Sequence, residues 1–173
     1  MSTSSPAHSP DGPGGLSHLQ HGPGGPGARM VDVGSKPSSA RVARARARVR
    51  FPAGVLERVL AGQGPKGPIE EVARVAGIQA AKRTSEWIPM CHSVPLDHVE
   101  VRFTRTAEDV LEVACTAACT ARTGVEMEAL VGASAAALTV YDMCKALARG
   151  ILVERVELLE KSGGASGPWR SEP

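Results

Sequence analysis

Ionisable residues stand at both ends of one predicted helix, where they could move protons or bind phosphate. The helix predicted over 125–149 begins with Glu126 and Glu128 and ends near Asp142 and Lys145. Its middle is small and apolar on nearly every side, which is typical of a buried or closely packed helix. Charged groups at the ends of such a helix need partners. A carboxylate beside an ammonium group can transfer protons or stabilise developing phosphate charge.

Structural explanations remain open for the same residues. Acidic side chains in a first turn suit the helix dipole, which would account for Glu126 and Glu128 without a function. Asp142 and Lys145 could form an ordinary i,i+3 ion pair on the surface.

The spacing of Glu128 and Asp142 constrains any site that they share. They are 14 positions apart, so about 21 Å separates them along one helix. They cannot both contact one small reacting centre in a single protomer. Either the ligand is long, or a symmetric oligomer places the start of one helix beside the end of its antiparallel copy.

A loop bounded by prolines contains Met90, Cys91 and His92. The cysteine and histidine could form a nucleophilic pair, a metal site or a ligand contact, but a nucleophile needs its base close in space rather than in sequence. No nearby histidine or cysteine has the spacing of a metal site, so none is predicted. A lone loop histidine is more often structural or solvated.

Cys91, Cys115, Cys119 and Cys144 form no C-x-x-C pair and are expected to be reduced thiols in the core.

Several cations could face an anionic ligand. Lys66 and Lys161 lie in glycine-rich loops, where backbone N–H groups can also approach phosphate oxygens, although any solvated loop looks similar. Arginines at positions 44, 46, 48 and 50 share one face of a predicted strand. That row could face solvent, nucleic acid or an anionic ligand held between subunits.

Composition separates a leader from a globular domain. Residues 1–29 are rich in Gly, Pro and Ser and carry scattered histidines, so they are predicted to be a disordered leader. Residues 30–173 can bury a core and are predicted to form one catalytic domain whose last residues are flexible.

The leader lacks a secretory signal and no apolar run is long enough to span a membrane, so a cytoplasmic protein is expected. A net charge of +2 and 3% aromatic residues argue against nucleic-acid binding.

The elements that position these residues follow from the residue pattern. Alternation predicts strands over 41–51, 97–105, 110–121 and 152–159, and helical spacing predicts a short helix after Pro52, a second over 68–87 and the long helix over 125–149. The order β-α-α-β-β-α-β predicts an α+β fold with helices packed on one face of an antiparallel sheet.

Six segments together resemble the MoaC family, the cyclic pyranopterin monophosphate synthases. They are MVDV at 30–33, ARVAGIQAAKRT at 73–84, IPMCH at 88–92, TGVEMEAL at 123–130, YDMCKA at 141–146 and KSGG at 161–164. The resemblance covers residues 30 to about 167 in order and without large gaps.

The resemblance implies a ferredoxin-like fold, a homohexamer built as a trimer of dimers, and active sites at the dimer interface. The implied substrate is 3′,8-cyclo-7,8-dihydroguanosine triphosphate, whose rings are opened and reclosed to form cyclic pyranopterin monophosphate with release of pyrophosphate. No redox change occurs and no cofactor is expected, although Mg²⁺ could accompany the triphosphate.

The resemblance also implies roles for individual residues. Asp142, Lys145 and Lys66 match the catalytic residues of the family. The remaining matches are expected to bind the substrate: Met90, Cys91, His92, Met127, Glu128, Glu126, Arg41, Arg44 and Lys161.

The chain departs from the family pattern at two positions. Ser93 follows His92 where the family commonly has proline, and Ala165 replaces a second lysine of the C-terminal motif. Two other functions were weighed: a non-catalytic nucleotide sensor on the same fold, and an RNA- or DNA-binding protein that uses the arginine row.

Overall fold

The computed structural model describes residues 19–22, 25–64 and 66–172. The chain divides into two compact units, Met1–Ser35 and Lys36–Pro173. In the first unit, strands β1 (Leu19–Gly22) and β2 (Gly25–Ala28) pair antiparallel. Most of the predicted leader, residues 1–18 and 23–24, lies outside the described residues.

The second unit is built on a five-stranded antiparallel sheet with the order β4-β5-β3-β6-β7. Its strands are β3 (Ser39–Arg50), β4 (His98–Ala107), β5 (Val110–Ala121), β6 (Leu152–Ser162) and β7 (Trp169–Arg170). Its helices are α1 (Val55–Leu60), α2 (Ile69–Lys82), α3 (Thr84–Trp87) and α4 (Glu126–Cys144). Helix α4 packs on β3, β5 and β6, and α2 packs on α4. The predicted α+β, ferredoxin-like arrangement is confirmed.

The predicted alternation of β3 places its small residues toward the helices. Ala43, Ala45, Ala47 and Val49 are fully buried against α4 and the facing side chains of β5. Small residues let the helix approach the sheet closely, so α4 forms the centre of the core. The core is therefore the layer between the sheet and α4.

Four arginines of β3 lie on the opposite face, at positions 44, 46, 48 and 50. The last three are paired with acids of the neighbouring strands and of the turn before β5. Arg46 lies 2.6 Å from Glu157 and 3.4 Å from Glu112, and Arg50 lies 2.7 Å from Glu154 and 3.1 Å from Asp109. Arg48 lies 3.7 Å from Glu112. Acidic neighbours therefore neutralise most of the row, which weakens its interpretation as a nucleic-acid surface.

Helices α2 and α4 cross at two glycines. A Cβ at Gly77 would lie 2.9 Å from the carbonyl oxygen of Gly132, and a Cβ at Gly132 would lie 2.6 Å from Cys115 Sγ. The close approach needs hydrogen at both positions. It fixes α2, and with it the following loop, against the central helix.

The observed helices are shorter than the sequence predicts. The predicted helix over 68–87 is interrupted at Arg83, where the Thr84 hydroxyl donates to the carbonyl of Ala81 at 3.0 Å and competes with the helix ladder. Helix α4 ends at Cys144 instead of near Arg149. In the part of the chain that the structure describes, no helix is long and apolar enough to cross a membrane.

Candidate active site

Three predicted catalytic residues meet at the C-terminal end of α4. The Asp142 carboxylate lies 2.7 Å from Lys145 Nζ, one turn along the chain, and 2.7 Å from Lys66 Nζ. Lys66 stands in the loop between α1 and α2 and also donates to the main-chain carbonyl of Asp142 at 3.2 Å. Carbonyl groups in the last turn of a helix have no hydrogen-bond donor within the helix, and Lys66 supplies one here. Lys66 is therefore held by both the side chain and the backbone of Asp142.

The contacts in this cluster shift the pKa of Asp142 and the pKa of Lys145. Hydrogen bonds from Lys145 and Lys66 lower the pKa of Asp142 to about 2, so its carboxylate is ionised at neutral pH. The hydrogen bond to Asp142 raises the pKa of Lys145, which therefore stays protonated. Two ammonium groups around one carboxylate leave a net positive charge, which suits a phosphate group.

This cluster is open to solvent in the protomer. The side chains of Lys66, Asp142 and Lys145 retain 45%, 53% and 56% of their accessible surface. An i,i+3 surface pair alone would not require Lys66 to arrive from a distant loop. The cluster is therefore more than an i,i+3 ion pair on the surface. Because it is exposed, a ligand or a partner chain can reach it.

A groove between α2 and α4 leads to Asp142 and contains residues that the sequence analysis did not single out. Gln79, Arg83 and Trp87 line it together with Asp142. Their spacing of four positions places them on one side of the predicted second helix, which is the signal that could have found them. Ala135 and Leu138 contribute apolar surface to the lining of the groove.

A second cluster stands at the N-terminal end of α4. Lys161 Nζ of β6 lies 2.9 Å from the Glu126 carboxylate, and both side chains are about two-thirds buried, with exposures of 29% and 30%. The Glu126 carboxylate folds back over Gly124, where a Cβ would overlap it. The predicted candidates Glu126 and Lys161 are thus brought together, and they partly neutralise each other.

Arg41 lies beside this cluster under the C-terminal Gly-rich loop. Its Nε donates to the carbonyl of Ala121 at 3.3 Å. Gly164 has a positive φ of 78°, and a Cβ there would overlap the Arg41 guanidinium. The loop that follows Lys161 therefore packs directly on Arg41.

Glu128 is almost completely buried, with 4% of its surface exposed. Burial raises the pKa of this carboxyl group, and the charge of Glu126 raises it further. Its neighbour Met127 is half-buried in the same first turn. A buried carboxyl with a raised pKa can exchange a proton closer to neutral pH than an exposed one, which is useful in acid–base chemistry.

The loop 88–92 lies close to Glu128. His92 and Glu128 line one cleft of about 410 Å³, together with Ser85 and Ser93. Met90 and Cys91 are half-buried in the loop. Burial raises the pKa of the Cys91 thiol, with a smaller contribution from the charge of Glu128, so a thiolate nucleophile is disfavoured there.

Three of the four cysteines that the sequence predicts to be reduced core thiols are buried, whereas Cys91 is half-buried. Cys115, Cys119 and Cys144 are free thiols buried in the core, and burial raises the pKa of Cys115 to about 12 and of Cys144 to about 11. Within residues 19–22, 25–64 and 66–172, no group of three or more His, Cys, Asp or Glu side chains could hold a metal ion.

Within one protomer the structure does not bring all the candidates together. The Glu128 and Asp142 clusters occupy opposite ends of α4, about 21 Å apart along the helix axis. Arg44 is exposed on the face of the sheet that carries no helices, where the neighbouring Arg46 side chain also lies. Arg41 lies on the other face, opposite buried Cys119 in the register of β3 and β5. A site that uses both clusters would need either a long ligand or a second protomer.

Comparison with known proteins identifies the chain's relatives. The model of the MoaC family matches residues 30–164. A cyclic pyranopterin monophosphate synthase of Chloroflexus aggregans is 49% identical over 160 residues, which cover 92% of this chain and 97% of the relative. The synthases of Thermomicrobium roseum and Novosphingobium aromaticivorans are 53% identical over 146 residues and 48% identical over 156 residues. These alignments cover 84% and 90% of this chain, and 88% and 99% of the relatives.

Proposed function

The chain belongs to the MoaC family, and we infer from that membership that it is a cyclic pyranopterin monophosphate synthase, a lyase of molybdenum cofactor biosynthesis. The observation that carries this inference is about 50% identity to proteins of that name across nearly their whole length. The residues described above supply the matching chemistry, with clustered ammonium groups, an ionised carboxylate and a buried carboxyl group.

We propose that the substrate is 3′,8-cyclo-7,8-dihydroguanosine triphosphate. The enzyme opens and recloses its rings to form the pyranopterin, closes the cyclic phosphate and releases pyrophosphate. Opening and reclosing the rings breaks and forms ring bonds with proton transfer, and closing the cyclic phosphate displaces pyrophosphate, all without a net change of redox state. Such a reaction calls for acid–base groups and phosphate cations, and no protein-bound cofactor is proposed, while Mg²⁺ could accompany the triphosphate.

Asp142, Lys66 and Lys145 are proposed to form the catalytic centre. The ammonium groups of Lys66 and Lys145 would bind phosphate oxygens and stabilise the charge that develops on pyrophosphate as it leaves. As those oxygens compete for the lysines, Asp142 loses the hydrogen bonds that lower its pKa. Its carboxylate then becomes a stronger base, so phosphate binding itself would prepare Asp142 to accept a proton.

The cluster around Glu128 is proposed to hold the remainder of the substrate. Met90, Cys91, His92, Met127 and Glu128 would contact the heterocycle, and Arg41, Glu126 and Lys161 would form the neighbouring wall. Glu126 takes part by fixing Lys161, from which it lies 2.9 Å away. Arg44 faces away from this wall in the protomer, so a substrate contact from Arg44 would have to be made in a neighbouring subunit.

A dimer is proposed to join the two clusters. The outer surface of α2, α3 and α4 exposes Val75, Trp87, Leu138 and Tyr141 in the protomer, and apolar patches of this kind favour association. Two antiparallel α4 helices would set Asp142 of one protomer beside Glu128 of the other. Three such dimers would form the proposed hexamer. We place the enzyme in the cytoplasm, where guanosine triphosphate is available.

Two other functions fit the residues less well. A non-catalytic nucleotide sensor would need phosphate cations but not a carboxylate bound by two lysines. A nucleic-acid-binding protein would need free cations on the arginine row, where Arg46, Arg48 and Arg50 have acidic partners.

A coupled assay tests the proposed function. Purified protein is supplied with enzymatically generated 3′,8-cyclo-7,8-dihydroguanosine triphosphate, and both cyclic pyranopterin monophosphate and pyrophosphate are measured. Formation of the two products in equal amounts is expected. Binding of the substrate without release of pyrophosphate would reject the synthase in favour of the sensor.

A further inference from the structure

The backbone around His92 is anchored on both sides. Before it, the N–H of Cys91 donates to the carbonyl of Ile88 at 3.0 Å, which closes a turn at the start of the loop. After it, Val94 and Leu96 pack against the core. His92 and Ser93 therefore connect two segments whose positions are fixed.

A hydroxyl pair ties this connection to α3. Ser93 Oγ lies 3.0 Å from Ser85 Oγ, and either atom can donate the hydrogen bond. The helix that carries Ser85 is itself held to α2, because the buried Thr84 hydroxyl donates to the carbonyl of Ala81. Ser85 is therefore a fixed point to which the residue after His92 is attached.

Both hydroxyl groups lie at the cleft that His92 and Glu128 share. Serine places no special restriction on the backbone of the residue before it, whereas Pro89 and Pro95 restrict residues 88 and 94. Contacts of Ser93 therefore influence the backbone conformation of His92. A side-chain hydrogen bond that holds Ser93 limits the positions that the imidazole can adopt.

We propose that the Ser85–Ser93 hydroxyl pair is a positioning element that holds His92 beside Glu128 in the substrate cleft. The proposal rests on the proposed function only in assigning His92 to substrate binding. The serines are expected to lower the cost of ordering the loop when the substrate binds, and they would affect KM more than kcat because they touch no reacting atom.

Four variants test the pair kinetically. Ser85→Ala and Ser93→Ala should each raise KM about threefold to tenfold, the range that one hydrogen bond supports, with a smaller change in kcat. The double variant should be no worse than either single variant, since all three lack the same bond. Ser93→Thr keeps a hydroxyl group and should retain the parent KM. Thr104→Val, which removes an exposed hydroxyl on β4, is the matched control.

The imidazole resonances of His92 provide a readout that does not depend on turnover. NMR of histidine-labelled protein should show the His92 signals shifted or broadened in both alanine variants and unchanged in Thr104→Val. Additive effects of the two alanine substitutions on KM, or parental KM values with parental His92 resonances, would overturn the proposal. A parent enzyme that makes no product would reject the proposed function, while the NMR comparison would still decide the positioning role.

Discussion

Lys66 Nζ lies 2.7 Å from the Asp142 carboxylate, although the two residues are 76 positions apart in the chain. The contact joins the loop before α2 to the last turn of α4. It brings together a cation and a carboxylate whose sequence neighbourhoods give no sign of the contact. The i,i+3 neighbour Lys145 completes the cluster at the same distance from Asp142.

Replacing Asp142 should abolish turnover without unfolding the protein. Asp142→Asn removes the negative charge and leaves an amide of the same size, so we expect kcat to fall by a factor of about 10² or more, the usual loss when an acid–base group is removed. Lys66→Ala should have a similar effect. Lys36→Ala removes an exposed lysine outside the cluster and is the control. Rates near the parent value for Asp142→Asn, measured in the coupled assay, would exclude the proposed centre.

The buried Glu128 should make stability depend on pH. Because burial raises its pKa in the folded state, the folded chain binds more protons than the unfolded chain between the two pKa values. The favourable contribution of the protonated carboxyl is therefore complete below the unfolded pKa of about 4.3 and is lost as pH rises through the folded value.

Glu128→Gln should remove that dependence. The melting temperature of the variant relative to the parent should be higher at pH 7.5 than at pH 4, because only the parent must ionise a buried group. Glu108→Gln changes an exposed glutamate and should show no such trend. An equal difference in melting temperature at both pH values would contradict the assignment of a raised pKa to Glu128.

Cys91 should be dispensable for the chemical step. Burial and the charge of Glu128 raise the pKa of its thiol, so little thiolate is present at neutral pH. Cys91→Ser should retain a kcat of the same order as the parent, with any loss appearing in KM. Alkylation of the parent by iodoacetamide at pH 7 should be slow and should accelerate at higher pH. A loss of kcat as large as that of Asp142→Asn would restore a nucleophilic role for Cys91.

The sequence predicted the elements better than the contacts between them. Alternation in β3 correctly placed Ala43, Ala45, Ala47 and Val49 in the core. Successive side chains of a strand point to opposite faces whatever the distant neighbours are. The end of α4 was predicted too late. Residues 145–149 are types that favour a helix, so the sequence does not show where the helix ends. In the structure, the carbonyl of Asp142 accepts a hydrogen bond from Lys66 of another loop.

The contacts of the candidate site were also predicted only where they are local in sequence. Asp142 and Lys145 are neighbours on any helix, so their pairing follows from spacing. The contacts of Lys161 with Glu126 and of Ser85 with Ser93 depend on which loop folds onto which helix. The arginine row was ambiguous because the acids that neutralise it belong to other strands and to a turn, and only the strand order brings them close.

The arginine row should contribute to stability rather than to binding. Arg46 is 23% exposed and its partners Glu157 and Glu112 are 21% and 14% exposed, so its removal leaves two poorly solvated carboxylates. Arg46→Met should lower the free energy of unfolding by about 1–2 kcal/mol. Arg102→Met is a matched control on the same face of the sheet, because Arg102 and Glu100 are 71% and 40% exposed. It should cost less than about 0.5 kcal/mol.

A double-mutant cycle separates the ion pair from the loss of packing. If the Glu157 carboxylate, left with Arg155 at 2.8 Å as its ionic partner, causes the instability, Glu157→Gln added to Arg46→Met should recover part of the lost free energy. A neutral amide costs less to desolvate than a carboxylate. Urea unfolding of the four proteins measures the coupling. Purely additive effects would show that Arg46 acts through the packing of its methylene groups. Salt-dependent binding of the parent to generic duplex DNA, lost in Arg46→Met, would instead mean that the row remains available to nucleic acid despite its acidic partners.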